Sequence, residues 1–268
     1  RLVEGDVGSG KTVVAAMVSL MALRQGYQVA LMAPTELLAR QHAATLYNLL
    51  EPLGLQNEVL LLVGGMTASQ KKKAHDAITR GHAHLLVGTN ALIQEKVDMQ
   101  RLGLIIIDEQ HRFGVEQRKE LMRKAKHMPH VLSLTATPIP RSLALTLYGE
   151  LDISVLQEKP AGRQPIKTQI VSQVKRNRLY KSIRGEIDSG HQIFVVCPNI
   201  ESREGLEPSG ASVEAVYAEI TNQQLKGYRV GLLHGKMKPA EKEEVMQRFL
   251  LHELDVLVST TVIEVGVD

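Results

Sequence analysis

Short, continuously apolar runs recur along the chain, separated by longer segments with helical periodicity. In the first half these runs are QVALMAP (28–34), EVLLLVG (58–64), AHLLVGT (83–89), GLIIIDE (103–109) and VLSLTAT (131–137). Parallel strands that helices cover on both faces have this composition, whereas half-exposed strands alternate apolar and polar residues. The pattern therefore predicts a doubly wound α/β domain in the first half.

The second half repeats the pattern after a segment rich in proline, glycine and charge, QEKPAGRQPI (157–166). Such a segment is typical of a linker, and we place a domain boundary near Lys159. The later apolar runs are IKTQIV (166–171), QIFVVCP (192–198), RVGLLHG (229–235) and DVLVSTT (255–261). We expect two α/β domains, residues 1–158 and 159–268, each a mostly parallel sheet with helices on both faces. The polar stretch 201–212 has no periodicity and predicts a surface loop.

Composition supports a soluble protein with two cores. The chain has 268 residues, 44% of them hydrophobic, and a single cysteine, Cys197, which excludes an internal disulfide. No run approaches the roughly 18 apolar residues of a membrane span. We therefore expect a cytoplasmic protein with no membrane partner. The net charge of +3 leaves the partner open, while the absence of Trp argues against a platform of stacked bases.

Residues Gly5 to Thr12, GDVGSGKT, match the phosphate-loop motif G-x-x-x-x-G-K-[ST]. A short apolar run precedes the motif and a helical pattern follows it. In such a loop, backbone N–H groups converge on phosphate oxygens, Lys11 reaches the β and γ phosphates, and Thr12 ligates Mg²⁺. The predicted binding residues for the nucleotide are Gly5, Gly8, Ser9, Gly10, Lys11 and Thr12, with Mg²⁺ as the metal.

Two adjacent carboxylates end the apolar run LIIIDEQHRF (104–113). Burial of an ionised carboxylate costs several kcal/mol unless a cation or hydrogen-bond donor compensates for it. A phosphate loop needs an acidic residue at the tip of a neighbouring strand to hold Mg²⁺, and a hydrolase needs a second carboxylate that orients or deprotonates water. Asp108 fits the first role and Glu109 the second, so the sequence favours a hydrolase over a kinase.

The quartet DEQH (108–111) resembles motif II of superfamily 2 helicases and translocases, and further motifs follow the family order. They are APTELLARQ (33–41) for motif Ia, VGTNALI (87–93) for Ib, TATPIPR (135–141) for III, IFVVCPNI (193–200) for IV and VLVSTTVIEVGVD (256–268) for V. In detail, DEQHRFGVEQR and GLLHGKMKPAEKEEVM are similar to the core of RecG-type ATP-dependent DNA helicases. The similarity covers essentially the whole chain.

This resemblance implies two RecA-like domains that bind ATP and Mg²⁺ between them and move along DNA as the cleft opens and closes. The implied catalytic residues are Lys11, Asp108, Glu109 and Gln110, and the metal ligands are Thr12 and Asp108. Further nucleotide contacts would come from Gly266 and Asp268. Coupling of the γ-phosphate to the neighbouring domain would involve His111, Thr135, Thr137 and Arg141.

The resemblance also implies contacts to DNA backbone phosphates from residues at strand ends. In the first domain these are Pro34, Thr35, Arg40, Gly64, Gly65, Gly88 and Thr89. In the second domain they are His234, Gly235, Thr260 and Thr261. Any single one of them could instead serve only as a turn or a helix cap. The implied partner is branched DNA, such as stalled replication forks or Holliday junctions in recombination and repair, and the motor is expected to act as a monomer.

Two parts of the family pattern are absent from these 268 residues. One is the arginine-rich motif VI, whose guanidinium reaches the γ-phosphate and contributes on the order of 10³ to 10⁵ in rate. The other is the wedge domain that splits branched DNA. We therefore expect the 268 residues alone to bind nucleotide and to hydrolyse it slowly.

Three alternatives stay open on the sequence alone. The first is a double-strand DNA translocase of the transcription-repair coupling kind, which shares elements similar to DEQHRFGV and TATPIPR. The second is a P-loop kinase or GTP-driven switch, although kinases lack a second half with motif V and no N-K-x-D guanine reader is found. The third is action on RNA, since backbone contacts distinguish the two sugars weakly.

Overall fold

The computed structural model describes residues 1–94, 97–137, 152–158, 166–198 and 212–260. They form two compact units, the first within residues 1–164 and the second within 165–267. The predicted boundary near Lys159 and nearly all of the predicted loop 201–212 lie outside the described residues, as do four predicted site residues: Arg141, Thr261, Gly266 and Asp268. No helix in the described ranges has the length and apolar content needed to cross a membrane.

The first unit is built on a seven-stranded sheet. Its strands are β1 (Leu2–Gly5), β2 (Gln28–Met32), β3 (Val59–Leu62), β4 (Leu85–Gly88), β5 (Leu102–Asp108), β6 (His130–Thr135) and β7 (Ile153–Leu156). The strand order is β3-β4-β2-β5-β6-β1-β7, and each of these pairings is parallel. The predicted α/β class with a parallel sheet is confirmed. Strand β7 was not predicted; it is short and partly exposed.

Helices cover both faces of this sheet. They are α1 (Lys11–Arg24), α2 (Glu36–Leu50), α3 (Ala68–Thr79) and α4 (Val115–Arg123). Successive strand residues point to opposite faces, which explains why the strands are apolar throughout. On one face, Ala30 and Ile105 pack with Ile78 of α3 and Leu121 of α4. The helices α1 and α2 contact each other and strands β2, β4 and β5, where residues such as Leu31 are fully buried.

The second unit has a smaller parallel sheet. Its described strands are β8 (Ile193–Cys197), β9 (Val230–Leu233) and β10 (Val256–Thr260), in the order β8-β10-β9. Its described helices are α5 (Arg176–Asp188), α6 (Val213–Glu219), which continues as a π-helical turn over Ile220–Gln224, and α7 (Pro239–Leu250). The side chains of Tyr180, Ile187, Val213 and Val256 form its core.

One predicted strand of the second half is wrong. Residues 166–171, IKTQIV, adopt no regular secondary structure. The side chains of Ile166 and Ile170 are 80% and 102% exposed, so the segment has no buried face. A strand needs cross-strand neighbours and a packed face to be stable, and the short apolar pattern alone supplied neither.

Cys197 ends β8 and is 5% exposed, as expected for a small buried hydrophobe. Burial raises the pKa of its thiol above the usual value. Because both access and thiolate fraction fall, we expect the native protein to react with a thiol-specific disulfide reagent at pH 8 about tenfold or more slowly than the urea-unfolded protein. Stopped-flow absorbance of the released thiolate measures both rates. Equal rates would contradict the buried placement.

Candidate functional site

The predicted site residues of the first unit lie along one edge of its sheet, the carboxyl-terminal edge. Residues Leu62, Gly88, Met32, Ile107, Ser133 and Leu2 form one aligned row across the six strands β3-β4-β2-β5-β6-β1. The phosphate loop follows β1, the DEQH quartet follows β5, and the TAT segment (135–137) follows β6. We call this part of the edge the β1–β6–β5 half. The predicted DNA residues follow β2, β3 and β4, the β2–β4–β3 half. The two groups therefore occupy adjoining halves of one edge.

The phosphate loop joins β1 to α1. Gly8 and Gly10 have φ of 76° and 94°, in the left-handed region where a side chain is strained. Gly10 is the N-cap of α1, so the first N–H groups of the helix point into the loop. A Cβ on Gly5 would overlap the Ser9 hydroxyl. The glycines are thus required by the shape of the loop.

Two polar groups of this loop fit a phosphate ligand. The ammonium of Lys11 donates to the backbone oxygens of Gly5 and Asp6 at 2.7 and 2.8 Å, which holds it within the loop. The hydroxyl of Ser9 is buried and has no hydrogen-bond partner among the described residues. A buried hydroxyl without a partner is costly, and a phosphate oxygen would satisfy it. The loop therefore suits the phosphates of a nucleoside triphosphate.

Asp108 ends β5 and is 7% exposed. Strand β6 separates it from β1, so it lies two strand spacings, about 10 Å, from Val3, which is two residues before the start of the phosphate loop. Its Oδ2 is 2.8 Å from Nε2 of His42, which lies on α2. This imidazole, which was not predicted from the sequence, compensates for part of the cost of burying the carboxylate.

Glu109 adopts the left-handed conformation, with φ 48° and ψ 58°. For a residue with a side chain this costs about 1 kcal/mol or more, and such strain is common at functional sites. Its carboxylate accepts hydrogen bonds from the backbone N–H of Ala136 at 3.2 Å and from the Thr135 hydroxyl at 3.4 Å. The hydroxyls of Thr135 and Thr137 are 2.9 Å apart. The structure thus brings Glu109 together with two of the residues predicted for coupling.

Gln110 is 4% exposed, and its Oε1 has no hydrogen-bond partner in the described part of the chain. It lines a cavity beside β5, β6 and α4 with Ile107, Arg118 and Ser133. The backbone of residues 110–112 forms a 3-10 turn after Glu109, and this turn includes His111. Gln110 therefore has one unsatisfied polar atom within the β1–β6–β5 half.

Residues that could hold Mg²⁺ are few. The described residues contain no group of three or more His, Cys, Asp or Glu side chains suited to a metal ion. That is compatible with a magnesium ion that takes one carboxylate, one hydroxyl and otherwise phosphate and water oxygens. Asp108 and Thr12 are the residues predicted to supply that carboxylate and that hydroxyl.

The predicted DNA residues of the first unit differ in what they do within the fold. Thr35 caps α2, since its hydroxyl accepts from the Leu38 N–H at 3.3 Å. Gly88 is buried in β4, where a Cβ would overlap the Leu62 carbonyl oxygen, so its packing role is clear. Gly64 and Gly65 are exposed, and the Gly65 N–H donates to Glu36 of α2 at 2.8 Å. Pro34 and Thr89 follow β2 and β4 and are partly exposed, and Arg40 is partly exposed on α2.

Two turns, one in each unit, share sequence and hydrogen bonding. We call them the matched turns: LVGGMTASQK (62–71), between β3 and α3, and LHGKMKPAEK (233–242), between β9 and α7. In both, the methionine sulfur accepts the N–H three residues before it, at 3.4 Å. In both, the last lysine donates to the glycine carbonyl seven residues earlier, Lys71 to Gly64 at 2.6 Å and Lys242 to Gly235 at 2.8 Å.

The matched turns extend the predicted site. Each also has a Gln or Glu side chain that accepts the N–H at the start of its helix, at 2.9 Å in both cases. The glycines and His234 were predicted from the sequence to contact DNA, whereas Lys71 and Lys242 were not among the predicted DNA residues. The repeated pattern L-x-G-x-M-x-x-x-[QE]-K, 171 residues apart, is the signal that finds them. Thr260, which was also predicted to contact DNA phosphates, is a buried residue at the end of β10.

Family models match both units. A model described as DEAD/DEAH box helicase matches residues 1–146, and a model described as helicase conserved C-terminal domain matches residues 174–268. Together these matches include the phosphate loop, the DEQH quartet and both matched turns.

Curated RecG helicases are similar to this chain over its whole length. ATP-dependent DNA helicase RecG of Synechocystis sp. is 50% identical over 268 residues, which cover all of this chain and 32% of that protein. RecG of Escherichia coli O157:H7 is 50% identical over 276 residues, covering all of this chain and 38% of that protein. The chain thus spans about a third of the length of these curated relatives.

Solved structures give the same fold. A structure of RecG bound to a three-way DNA junction has a TM-score of 0.73 and 39% identity, and the match covers 100% of this chain and 34% of that one. Mss116p bound to single-stranded RNA and AMP-PNP has a TM-score of 0.72 at 17% identity, over 99% of this chain and 58% of that one, which shows the fold alone.

Proposed function

Since the chain belongs to the DEAD/DEAH box helicase family, we propose that it is the ATP-driven motor of a RecG-type helicase that remodels branched DNA in recombination and repair. Its substrate is a DNA fork or junction, its nucleotide is ATP with Mg²⁺, and it works as a cytoplasmic monomer. The DNA-junction complex of the RecG relative supports the choice of branched DNA. We propose that residues 1–158 and 159–268 are the two motor domains.

The observation that carries this proposal is the division of the sheet edge. The residues that we assign to the nucleotide follow strands of the β1–β6–β5 half, and those that we assign to DNA phosphates follow strands of the adjoining β2–β4–β3 half. In this assignment Lys11 and Ser9 hold the nucleotide phosphates, Asp108 and Thr12 hold Mg²⁺, and Glu109 activates the attacking water. In the matched turns, the exposed Gly64 and Gly235 offer backbone N–H groups to DNA phosphates without reading sequence.

The test of this function is ATP hydrolysis by the protein as it is encoded, with any flanking residues. It is assayed without nucleic acid and with single-stranded DNA, linear duplex, a three-way DNA fork and a matched RNA fork. We expect the DNA fork to stimulate turnover most. Equal stimulation by linear duplex would replace the proposal with a general double-strand translocase. The absence of stimulation by every nucleic acid would refute a DNA motor.

The matched turns make a separate prediction about DNA affinity. Because Lys71 and Lys242 each close a turn and add a positive charge beside it, Lys71→Met and Lys242→Met should each weaken single-stranded DNA binding severalfold. Each should also reduce the slope of log K against log salt concentration by about one, because one fewer counterion is released on binding. Fluorescence anisotropy of labelled DNA at four salt concentrations measures both quantities.

The control for this prediction is Lys73→Met. Lys73 lies on α3 and is exposed, and the substitution removes the same charge from the same helix without opening a turn. If Lys73→Met weakens binding as much as Lys71→Met, general charge and not the turn explains the effect.

A further inference from the structure

The contact between His42 and Asp108 joins two parts of the molecule that are far apart in the sequence. His42 lies in the middle of α2, and Asp108 is the last residue of β5, 66 positions later. The side chains are 11% and 10% exposed. At 2.8 Å with little solvent access, this is a defined hydrogen bond and not a loose surface pairing.

Chemistry determines which atom carries the proton. A carboxylate that ligates Mg²⁺ is ionised and can only accept hydrogen bonds. With Asp108 assigned to Mg²⁺, Nε2 of His42 is the N–H that donates to Oδ2. A bond to Oδ2 fixes the rotation of the carboxylate group about its last torsion angle, which is otherwise broad. Oδ1 is then the oxygen that would serve a metal or metal-bound water.

Helix α2 also contacts the β2–β4–β3 half of the edge. Its first residue, Glu36, accepts the N–H of Gly65 in the first matched turn at 2.8 Å. Six residues later, His42 holds Asp108. One helix of 15 residues thus holds both a turn proposed to contact DNA and the carboxylate proposed to contact Mg²⁺.

From this geometry we propose that His42 is a positioning residue of the ATP site: it orients Asp108 toward Mg²⁺ and connects that carboxylate, through α2, to the first matched turn. The proposal rests on the proposed function, because it assigns Mg²⁺ to Asp108 and DNA to the turn. Groups that orient metal ligands in this way commonly contribute 10- to 100-fold to metal affinity or activity.

The test measures Mg²⁺-dependent nucleotide binding, which needs no turnover. Binding of a fluorescent ATP analogue that resists hydrolysis is titrated with Mg²⁺ in wild type, His42→Leu, His42→Gln and His42→Asn. The amide nitrogen of Gln is about as far from Cβ as Nε2 of His, whereas that of Asn is much closer. We expect the Mg²⁺ concentration at half-saturation to rise about 10-fold or more in His42→Leu and His42→Asn. In His42→Gln it should stay within about threefold of wild type.

Two further readouts separate positioning from folding. Thermal unfolding shows whether each variant is folded, and the Gln/Asn pair keeps the test informative if His42→Leu is not. In the hydrolysis assay with saturating Mg²⁺, we expect His42→Asn to lower kcat and the DNA stimulation factor while the KM for ATP changes little. Tyr47→Leu, at an exposed position on the same helix, is the control and should match wild type in both assays.

The outcomes distinguish this inference from the proposed function. If wild type shows no Mg²⁺-dependent nucleotide binding, the proposed function fails first. If wild type binds as expected and folded His42→Asn has the Mg²⁺ dependence of wild type, the positioning role of His42 is overturned while the motor assignment stands. A loss in His42→Asn that His42→Gln does not restore also overturns the role, because then the hydrogen bond is not what matters.

Discussion

Replacing Lys11 with alanine is expected to weaken ATP binding at least about 100-fold and to abolish turnover. The ammonium is held in the phosphate loop by the carbonyl oxygens of Gly5 and Asp6, at the position from which it reaches the phosphates. A charge-assisted hydrogen bond to a phosphate contributes about 1.5–3 kcal/mol, and the two carbonyls leave one of the three ammonium donors for it. Equilibrium titration with a fluorescent nucleotide measures the loss.

The fold should survive this change. Lys11 is the first residue of α1 and is only partly buried, so alanine, a good helix former, leaves the helix intact. Lys72→Ala, at an exposed position on α3, is the control and should bind ATP like wild type. If Lys11→Ala binds ATP within about threefold of wild type while its melting temperature is unchanged, the phosphate-loop assignment is wrong.

Replacing Glu109 with glutamine has a different expected result: ATP still binds, and hydrolysis falls by about 10² to 10⁴. Glutamine has the same shape and keeps a carbonyl oxygen that can accept from the Ala136 N–H, so the left-handed turn at this position is preserved. What is lost is the basic oxygen that orients or deprotonates water. DNA-stimulated turnover of the encoded protein measures the effect, with nucleotide affinity measured in parallel.

A matched control for this substitution lies nearby. Glu116→Gln changes a carboxylate on α4 that pairs with Lys119 on the surface, and it should leave turnover unchanged. If turnover in Glu109→Gln equals that of Glu116→Gln, another group must activate the water.

The sequence predicted most of the sheet because the strands are short, apolar and bounded by glycine or polar residues. β2 and β5 are fully apolar or nearly so over their buried positions, and helices cover them on both faces. The same rule failed for residues 166–171, whose apolar side chains are exposed, and it missed β7, whose side chains are partly exposed. An apolar run shows that the side chains are hydrophobic, and only tertiary contacts decide whether those side chains are buried.

The sequence predicted those residues of the candidate site that lie in local motifs, but not those that only tertiary contacts bring into it. Lys11, Asp108 and Glu109 belong to local motifs in which neighbouring residues carry the signal. His42 could not be found in that way, because its partner is 66 residues away and the contact depends on how α2 packs over the sheet. Lys71 and Lys242 could have been found, since the matched turns repeat in the sequence itself.

Some predicted residues prove to have roles within the fold that a motif does not distinguish from ligand contacts. Gly88 avoids a collision with the Leu62 carbonyl, and Thr35 caps α2. Both roles hold without any nucleic acid. Gly64 and Gly235 are exposed at matched turns and remain the stronger proposals for DNA contacts.

The most direct test of the central claim, an ATP-driven motor for branched DNA, is strand separation of a fluorescently labelled three-way DNA junction by the encoded protein. We expect that hydrolysable ATP with Mg²⁺ drives separation, and that a non-hydrolysable analogue or the Glu109→Gln variant supports binding without separation. Strand separation that needs no ATP hydrolysis, or an intact junction despite rapid DNA-stimulated hydrolysis, would contradict this claim.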